Sequence, residues 1–494
     1  MTLSDKASFS GRLFNSQNVA VAIEGGTFDL GAPTTIASLD VGSKGVIVAT
    51  LSKDADKGSA ITVGGNASFE DGAKLKLRLT DIADAEGTYT VIQAGSLTGA
   101  DQLTTDNTLV PFMYEAALAI EDAAGLLTVD IERKLTKDLG LNRSQSLAYD
   151  ALYTALAKDE DIAGVFLAIT DEALFRATVA QALPDHAGGT FEGLSLGMRS
   201  FARRLADGDG PIEPTGKLRL TFAGAGWDSR KDVEESARYD LDGLGFSGGA
   251  ELATGLGTIG ASASWLWNGY DSGPDNRVVS NTYEAALYWR GDWGAFSSFA
   301  RGSYGFSDFE GSRRFLGKNG DEEISRTIDR NWSGNVASLM AGASVEAGTQ
   351  YFFMRPSIIV DYIRLDEDGY EETGGGEALD LSVENRTSDE LGLNLATALG
   401  FDLLGMSRGD DMWLRLEAEG GWREILAGEL GGTTARFGDG DSFTLLPDQR
   451  SSGWFARLRG YGGDEFYTVS GELSAEENND KIGYVLRASI NFAL

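Results

Sequence analysis

The residues that could support catalysis are few and unfavourably placed. Gly193–Gly197 matches the G-x-S-x-G pattern around Ser195, and the only histidine, His186, lies nearby. A nucleophile elbow requires a strand before the serine and normally has its histidine later in the chain. Here the sequence around Ser195 has helical periodicity and His186 precedes it. We therefore predict no catalytic residues and no enzymatic activity, and we interpret His186 as a polar linker side chain.

Two other motifs have the residue types of ligand sites. Gly255–Gly260 reads G-x-G-x-x-G, but a strand pattern follows it, so no helix N-terminus would face a pyrophosphate and the motif predicts a hairpin turn. Carboxylates suited to Ca²⁺ occur at Asp366, Glu367, Asp368, Glu371, Glu372, Asp439 and Asp441. Because no complete calcium loop is present, we predict solvated surface loops, no metal site and no bound cofactor.

The composition excludes several classes of function. The chain has 494 residues, and 42 Lys and Arg against 75 Asp and Glu give a net charge of −33. This excess of negative charge argues against nucleic acid as a partner, because it repels phosphates. Without cysteine, the chain has no disulfide scaffold, zinc-thiolate site, iron–sulfur cluster or cysteine nucleophile. The 65 glycines and 8 prolines suit a protein with many hairpins.

Hydropathy limits how the chain can meet a membrane. Residues 1–6 lack the apolar core of a signal peptide, and no run of about 18 apolar residues could form a spanning helix. Membrane insertion would therefore have to use a β-barrel. The missing signal leads us to expect that this sequence is the C-terminal part of a longer precursor.

The clearest strand periodicity lies in Lys481–Leu494. Its two faces differ in polarity, as expected of a strand between hydrocarbon and water. One face carries Tyr484, Leu486, Ala488, Ile490, Phe492 and Leu494, and the other carries Val485, Arg487, Ser489, Asn491 and Ala493. An edge strand of a soluble sandwich has the same pattern, so this strand alone leaves both possibilities open.

The same alternation recurs in 259–268, 279–290, 391–403 and 412–419, and three features favour lipid on its apolar side. Aromatic residues lie near strand ends, at Trp265, Trp267, Trp289, Tyr351 and Trp454. The polar faces carry both signs of charge, in Arg219, Arg301, Arg355, Arg415, Arg457, Arg459 and Arg487 and in Glu251, Glu284, Glu417 and Glu472. One set of connections is short, whereas the other is long and acidic.

These features predict an all-β fold in which residues 217–494 form a transmembrane barrel of roughly twelve strands. Each strand and its connection would take about 23 residues, enough for a tilted span of about ten residues and a loop. Eight or fourteen strands remain open. The apolar parity would contact lipid, and the charged parity would line the lumen.

Residues 136–216 change to helical periodicity. We predict helices over Ser144–Lys158, Asp171–Leu183 and Phe191–Ala206. The third combines an apolar stripe with three cations, namely Phe191, Leu194, Met198, Phe201 and Leu205 with Arg199, Arg203 and Arg204. We expect residues from about 190 to 206 to plug the lumen with these arginines facing wall carboxylates. Residues 207–216 would be the hinge into the barrel.

Residues 1–135 consist of short alternating runs separated by glycine-rich turns, as in 19–31, 45–51 and 59–80. Such short strands, with no helix between them, predict a right-handed β-helix or a related solenoid. Each rung would bury its inward residues against the next rung. An unrelated β-rich domain is the alternative.

Several segments resemble a known family. GTYTVIQAGSLTG at 87–99, followed by LLTVDIERK at 126–134, resembles the autochaperone-like end of pertactin-like passengers. The last strand, with Phe492 and Leu494, resembles the terminal strand that the barrel-assembly machinery reads in outer-membrane barrels, although its final residue is not phenylalanine. The order of solenoid end, helical linker and barrel resembles an autotransporter of type V secretion.

This resemblance implies an outer-membrane translocator of a Gram-negative bacterium that secretes and displays its own N-terminal passenger. Its partners would be lipid, the barrel-assembly machinery and the passenger. Some members cut the passenger at paired asparagines in the linker, but 139–216 contains only the single Asn142, so self-cleavage is not expected. A diffusion channel and a soluble β-rich adhesin are the alternative functions.

Overall fold

The computed structural model describes residues 1–53, 58, 60–103, 108–207, 216–273, 275–349, 351–403, 412–478 and 481–494. The predicted hinge falls mainly on 208–215, which lie outside these residues. Within the described ranges, no helix has the length and apolar character needed to cross a bilayer.

The N-terminal region, residues 2–133, forms two largely parallel sheets. One contains β1 (Thr2–Leu3), β3 (Ala20–Ile23), β5 (Thr34–Ile36), β6 (Ser38–Val41), β8 (Ile61–Phe69), β10 (Gly87–Thr98), β12 (Tyr114–Glu121) and β13 (Leu126–Arg133), and the other contains β2 (Ser8–Gly11), β4 (Thr27–Leu30), β7 (Val46–Leu51), β9 (Lys74–Leu79) and β11 (Thr108–Leu109). Both sheets bury alternate apolar residues in a shared core. Parallel pairing and inward alternation are what a solenoid requires, but the β-helix itself stays a prediction.

The two segments that resemble a passenger end lie together at the end of the parallel stack. β10 pairs in parallel with β8 on one side and antiparallel with β13 on the other. β12 then pairs with β13 as the edge strand. The parallel ladder therefore ends in an antiparallel hairpin.

Four α-helices follow: α1 (Arg143–Leu156), α2 (Glu160–Ala168), α3 (Glu172–Gln181) and α4 (Gly189–Ala202), the last continued by a 3₁₀ turn over Arg203–Ala206. Asn142, Asp159 and Asp171 cap the first three, because their side chains accept bonds from backbone N–H groups of the first turn. The predictions of α1, α3 and α4 are confirmed within a few residues. α2 was not predicted, because EDIAGVFLA has no clear polar stripe.

Within the described residues, twelve long antiparallel strands form the barrel, as predicted. They are β14 (Leu218–Lys231), β15 (Tyr239–Thr254), β16 (Gly257–Asp271), β17 (Asn276–Trp293), β18 (Phe296–Asn319), β19 (Glu322–Val345), β21 (Phe352–Glu367), β24 (Arg386–Asp402), β25 (Trp413–Ala427), β28 (Gly453–Gly463), β29 (Tyr467–Asn478) and β30 (Lys481–Ala493). β30 pairs with β14, which closes the cylinder. Closure pairs the backbone groups that an open sheet edge would expose to lipid.

The apolar parity of the barrel points outward, as the sequence predicts. In β30, Leu486 is 64% exposed, whereas its neighbour Arg487 is 1% exposed. In β24, Phe401 is exposed and Asp402 is buried. The charged parity therefore lines the lumen.

The two rims of the barrel differ. At the turn rim, where β14 begins, short turns join Thr254 to Gly257, Trp293 to Phe296 and Gly463 to Tyr467, and β20 (Ala347–Gly348) precedes β21. At the opposite loop rim, residues 368–385 and 428–452 contain β22 (Tyr370–Glu371), β23 (Leu381–Val383), β26 (Thr433–Phe437) and β27 (Phe443–Leu445), which form a four-stranded sheet. The two long connections thus lie at one rim, as predicted, although the turn from Asn319 to Glu322 at the same rim is short.

The hairpin of β18 and β19 holds the helices at the loop rim. The two strands have 24 residues each, against 18 in the neighbouring β17 and 16 in the neighbouring β21, so they extend beyond their neighbours. α2 packs on them where Gly164 meets Asn319 and Val165 meets Gly317. On the other side of the helices, the Tyr153 hydroxyl of α1 lies 2.9 Å from that of Tyr114 in the N-terminal region. The helices thus connect the N-terminal region to the barrel.

Candidate functional site

The lumen of the barrel contains α4. All residues from Gly189 to Ala202 are buried. The helix starts at the loop rim after Ala187 and Gly188, whose φ angles are +48° and +81°. Its continuation ends near the turn rim, where Leu205 packs with buried residues of β18 and β21. The predicted plug helix is therefore present in the lumen.

One face of α4 is formed by glycines. Gly189, Gly193 and Gly197 are spaced four residues apart and so lie on one side of the helix. A Cβ atom at Gly193 would lie 2.7 Å from Leu241, and one at Gly197 would lie 2.7 Å from Trp227. Such distances are too short for a side chain, so these glycines let the helix backbone approach the apolar wall of β14–β16. This packing gives the glycines of the G-x-S-x-G motif a structural role.

The other face of α4 carries cations that bind wall carboxylates. Arg199 donates from Nε to Asp361 at 3.0 Å and pairs with Glu390. Arg423 of β25 binds the same two groups, at 2.8 and 2.9 Å to Asp361 and 2.7 Å to Glu390. Arg450 adds a further pair with Glu390 at 3.1 Å. The three arginines therefore share two carboxylates in one network, and all of these side chains are almost fully buried.

The following turn repeats this arrangement nearer the turn rim. Arg203 donates to Asn394 at 3.0 Å and lies 3.6 Å from Glu476. Arg204 lies 3.3 Å from Glu251. All three arginines predicted from the helix therefore face polar or acidic groups of the wall.

Asp207 ends the described part of the lumenal segment. Its carboxylate pairs with Arg459 at 2.9 Å and with Arg487 at 2.6 Å. Arg487 also donates to the backbone oxygen of Ser200 at 2.9 Å. Asp207 was predicted as the first hinge residue, and this is wrong, because two wall arginines fix it in place.

The wall itself is ion-paired, as the two signs of charge predict. All seven arginines named from the sequence have acidic partners: Arg219–Glu251 (3.4 Å), Arg301–Glu284 (2.8 Å), Arg355–Glu417 (2.8 Å), Arg459–Glu417 (2.8 Å), Arg487–Glu472 (2.8 Å), Arg415–Glu346 (3.1 Å) and Arg457–Glu419 (3.0 Å). This pairing reduces the cost of placing so many charges in an enclosed lumen.

Sequence reasoning missed one acidic residue of α4. Glu192 is buried and accepts hydrogen bonds from the hydroxyls of Ser229 and Tyr239 on the wall. The available signal was a single carboxylate in a helix otherwise rich in glycine and apolar residues. Its partners lie on β14 and β15, which the sequence did not connect to it.

Ser195 and His186 have separate structural roles. Ser195 Oγ donates to the Glu192 carbonyl at 2.9 Å and accepts from Arg450 at 3.1 Å. His186 Nε2 lies 3.3 Å from the Tyr370 hydroxyl, and its ring centroid is 5.6 Å from that of Trp332. His186 is therefore a buried residue packed among aromatic rings, which corrects its interpretation as a polar linker side chain. These contacts give Ser195 no hydrogen bond from a general base.

The surroundings of His186 disfavour its charged form. Burial lowers the pKa of His186 well below its usual value, and the nearby Arg386, Arg330 and Arg313 lower it further. Burial also raises the pKa of Tyr370 to about 12. Both side chains are therefore neutral near pH 7.

Part of the prediction for the acidic loops is wrong. Glu367 and Glu372 are buried and paired, with Arg386 at 2.7 Å and Arg313 at 2.6 Å respectively, instead of being solvated. In the part of the chain that the structure describes, no cluster of three or more His, Asp or Glu is arranged to hold a metal. Residues 255–260 lie at the predicted hairpin turn between β15 and β16.

A closed antiparallel cylinder with an apolar outer face and an ion-paired lumen defines a transmembrane β-barrel of the outer-membrane type. Residues 221–460 match the family model of the autotransporter beta-domain, and this part of the chain belongs to that family. The barrel is accordingly an outer-membrane translocator unit.

Several solved structures are similar to this chain. The translocator domain of the autotransporter NalP from Neisseria meningitidis is 16% identical with a TM-score of 0.47, and the match covers 62% of this chain and 99% of that one. The transport unit of the autotransporter AIDA-I from Escherichia coli is 14% identical with a TM-score of 0.35, covering 60% and 98%. The beta domain of the Bordetella autotransporter BrkA is 12% identical with a TM-score of 0.39, covering 56% and 99%. Comparison with curated proteins gives no match.

Proposed function

We propose that residues 217–494 carry the N-terminal region across the outer membrane and keep it displayed at the cell surface. The observation that supports this proposal is the path of the chain. α1–α3 contact β18, β26 and β27 at the loop rim, and α4 then passes through the lumen. β14 begins at the turn rim. The two ends of the lumenal segment therefore lie at opposite rims of the barrel.

This path assigns a direction to the barrel. If the N-terminal region is outside the cell, the loop rim faces the surface and the turn rim faces the periplasm. Long loops outside and short turns inside are the usual arrangement of outer-membrane barrels. In this orientation α4 is the last part of the transported chain and remains in the lumen after transport.

The partners in this function are lipid, the barrel-assembly machinery and the chain's own N-terminal region. The exposed apolar belt supports contact with lipid. Phe492 lies in β30, and Leu494 directly follows this strand. Both side chains are exposed on the outer face, where an assembly factor can bind them. Replacing Phe492 with alanine should therefore lower the amount of assembled barrel, measured by heat-modifiable migration of the membrane fraction. Equal assembly of the variant would contradict this role.

Surface labelling of intact cells tests the direction of the chain. An epitope is inserted next to Phe14, which is exposed in the N-terminal region, in a chain supplied with a signal peptide. The matched control has the same epitope next to Leu256, which is exposed in a turn at the turn rim. We expect an antibody to reach the first epitope on intact cells and the second only after permeabilisation. Labelling of the Leu256 epitope alone on intact cells would contradict the proposal.

A further inference from the structure

The loop rim is covered by residues 368–385 and 428–452, which we call the lid. Its four short strands bring together apolar side chains that are buried in the same core as α1. Arg143 of α1 donates to the carbonyl of Pro447 at 3.1 Å. The lid is therefore a folded element packed on the linker, in contrast to the solvated loops that the sequence predicted.

The lid also contacts the short segment that leads into the lumen. A Cβ atom at Gly188 would lie 2.8 Å from Leu430, so the lid touches the backbone just before α4. The Tyr370 ring stacks on Trp332 with centroids 4.7 Å apart, beside His186. The lid and the barrel wall thus pack directly against the segment that enters the lumen.

A buried ion cluster fixes the lid to the barrel wall. The Glu372 carboxylate receives Arg313 at 2.6 and 3.2 Å and Arg330 at 3.2 Å, and all three side chains are almost fully buried. Arg313 lies on β18 and Arg330 lies on β19, whereas Glu372 belongs to the lid. Removing one member would leave buried charges without a partner, which is strongly unfavourable.

Arg313 also binds the linker. Its Nη1 donates to the carbonyl of Gln181, the last residue of α3, at 2.9 Å, and its Nη2 donates to the carbonyl of Leu379 in the lid at 2.6 Å. The Gln181 side chain accepts from the backbone N–H of Leu316 on β18 at 2.9 Å. One guanidinium therefore joins the wall, the lid and the linker, and its full set of partners exists only when the linker is in place.

We propose that Glu372, with Arg313 and Arg330, is a latch that closes the lid over the linker once the lumenal helix is seated. The latch positions the linker and seals the mouth around it. The role of the lid during passage rests on the proposed transport function, because a translocating chain needs the mouth open. The closed state itself can be tested on purified protein without any secretion.

The test uses the absence of native cysteine. Ala378 lies in the lid and is 0% exposed, and Ala202 lies at the lumenal end of α4 and is 2% exposed. Ala378→Cys therefore reports lid opening through its rate of reaction with a maleimide, and Ala202→Cys reports loss of the plug. Both are measured in detergent-solubilised full chain that shows heat-modifiable migration.

With Glu372→Ala, we expect Ala378→Cys to react at least about tenfold faster and Ala202→Cys to react at an unchanged rate. Glu371→Ala is the matched control, because this neighbouring carboxylate is exposed and accepts a hydrogen bond from the Ser382 hydroxyl within the lid. It should leave both rates unchanged. Glu372→Gln keeps the side-chain shape and should give an intermediate rate, which decides the matter if the alanine variant does not fold.

Two results would overturn the latch. One is an unchanged Ala378→Cys rate in the folded Glu372 variants. The other is an equal acceleration of both cysteines, since that would show general loosening of the barrel instead of opening of the lid.

Discussion

The N-terminal region and the barrel have the same alternation of side chains with opposite orientation. In β9, Leu75 and Leu77 are buried while Lys74 and Lys76 are exposed. In β30, Leu486 is exposed while Arg487 is buried. Alternation therefore identifies a two-faced strand but leaves open which face is inside. In this molecule, almost fully buried ion pairs mark the inner face of the barrel, whereas solvent-exposed charges mark the outer face of the N-terminal region.

Arg423→Ala should have the largest effect on this comparison. It removes the cation shared by Asp361 and Glu390 in the lumen, so two buried carboxylates lose a partner. We expect a loss of about 3–5 kcal/mol in the free energy of unfolding, measured by urea denaturation in detergent. The matched change in the N-terminal region is Arg78→Ala, because Arg78 pairs with Asp29 at a half-exposed surface. It should cost about 0–1 kcal/mol, and equal costs would contradict the contrast.

Arginine substitutions on the outer faces should show the second-largest difference. Leu473 of β29 is exposed on the lipid face of the barrel. Leu473→Arg should cost about 2–4 kcal/mol in vesicles, because a charge near the bilayer centre is poorly solvated. Thr62→Arg places the same side chain on an exposed face of β8 and should change stability by less than about 0.5 kcal/mol. If Leu473→Arg were as harmless as Thr62→Arg, the outer face would not contact lipid.

Glycine substitutions compare close packing in the lumen with open space on the N-terminal region. Gly197→Ala places a methyl group against Trp227, so we expect a cost of about 1–3 kcal/mol and more frequent current openings in planar bilayers. Gly64 lies in β8, where the nearest atom to a new Cβ would be 3.7 Å away. Gly64→Ala should leave the stability nearly unchanged. If Gly197→Ala changed neither the stability nor the frequency of current openings, the glycine face would not be needed to pack the helix in the lumen.

Acid should have the smallest effect, confined to the loop rim. His186 faces Tyr370, Arg313, Arg330 and Arg386, and its pKa is lowered by burial and by those arginines. Opening of the mouth restores a pKa near 6.5, so the open state binds more protons and closure weakens as pH falls below that value. Because the thiolate is the reacting form, the maleimide rate at each pH is divided by that of the urea-unfolded chain at the same pH. Between pH 7.5 and 5.5 this ratio at Ala378→Cys should rise about threefold. His186→Gln should remove this rise, and a parent chain without any pH dependence would exclude His186 as its source.

The sequence was sufficient to predict the barrel because the alternation of apolar and polar residues is visible within each strand. Alternation in β16, β24 and β30 and the mixed charges of the polar parity predicted the closed sheet, its orientation and the paired lumen. The three arginines of α4 predicted a plug facing carboxylates. These features depend on periods of two or about four residues within one element, which a single sequence shows directly.

The partners of the plug and the lid were not predictable in this way. Arg199 meets Asp361 across 162 positions of sequence, and Glu372 meets Arg313 across 59. Such pairs depend on the stagger between strands and on the depth of the helix in the lumen, neither of which local periodicity records. The same acidic run that reads as a solvated loop therefore supplies Glu372, a buried anchor.

The protruding hairpin of β18 and β19 determines how far the attached helices lie from the rim of the barrel. β18 continues from Arg314 to Asn319 beyond its pairing with β17, and these six residues correspond to about 20 Å of strand. α2 packs on this projection near Gly317 and Asn319, so the linker is attached beyond the rim of the neighbouring strand. In the orientation proposed above, the anchor point of the N-terminal region would therefore lie farther from the bilayer than the rim of the strands beside the hairpin.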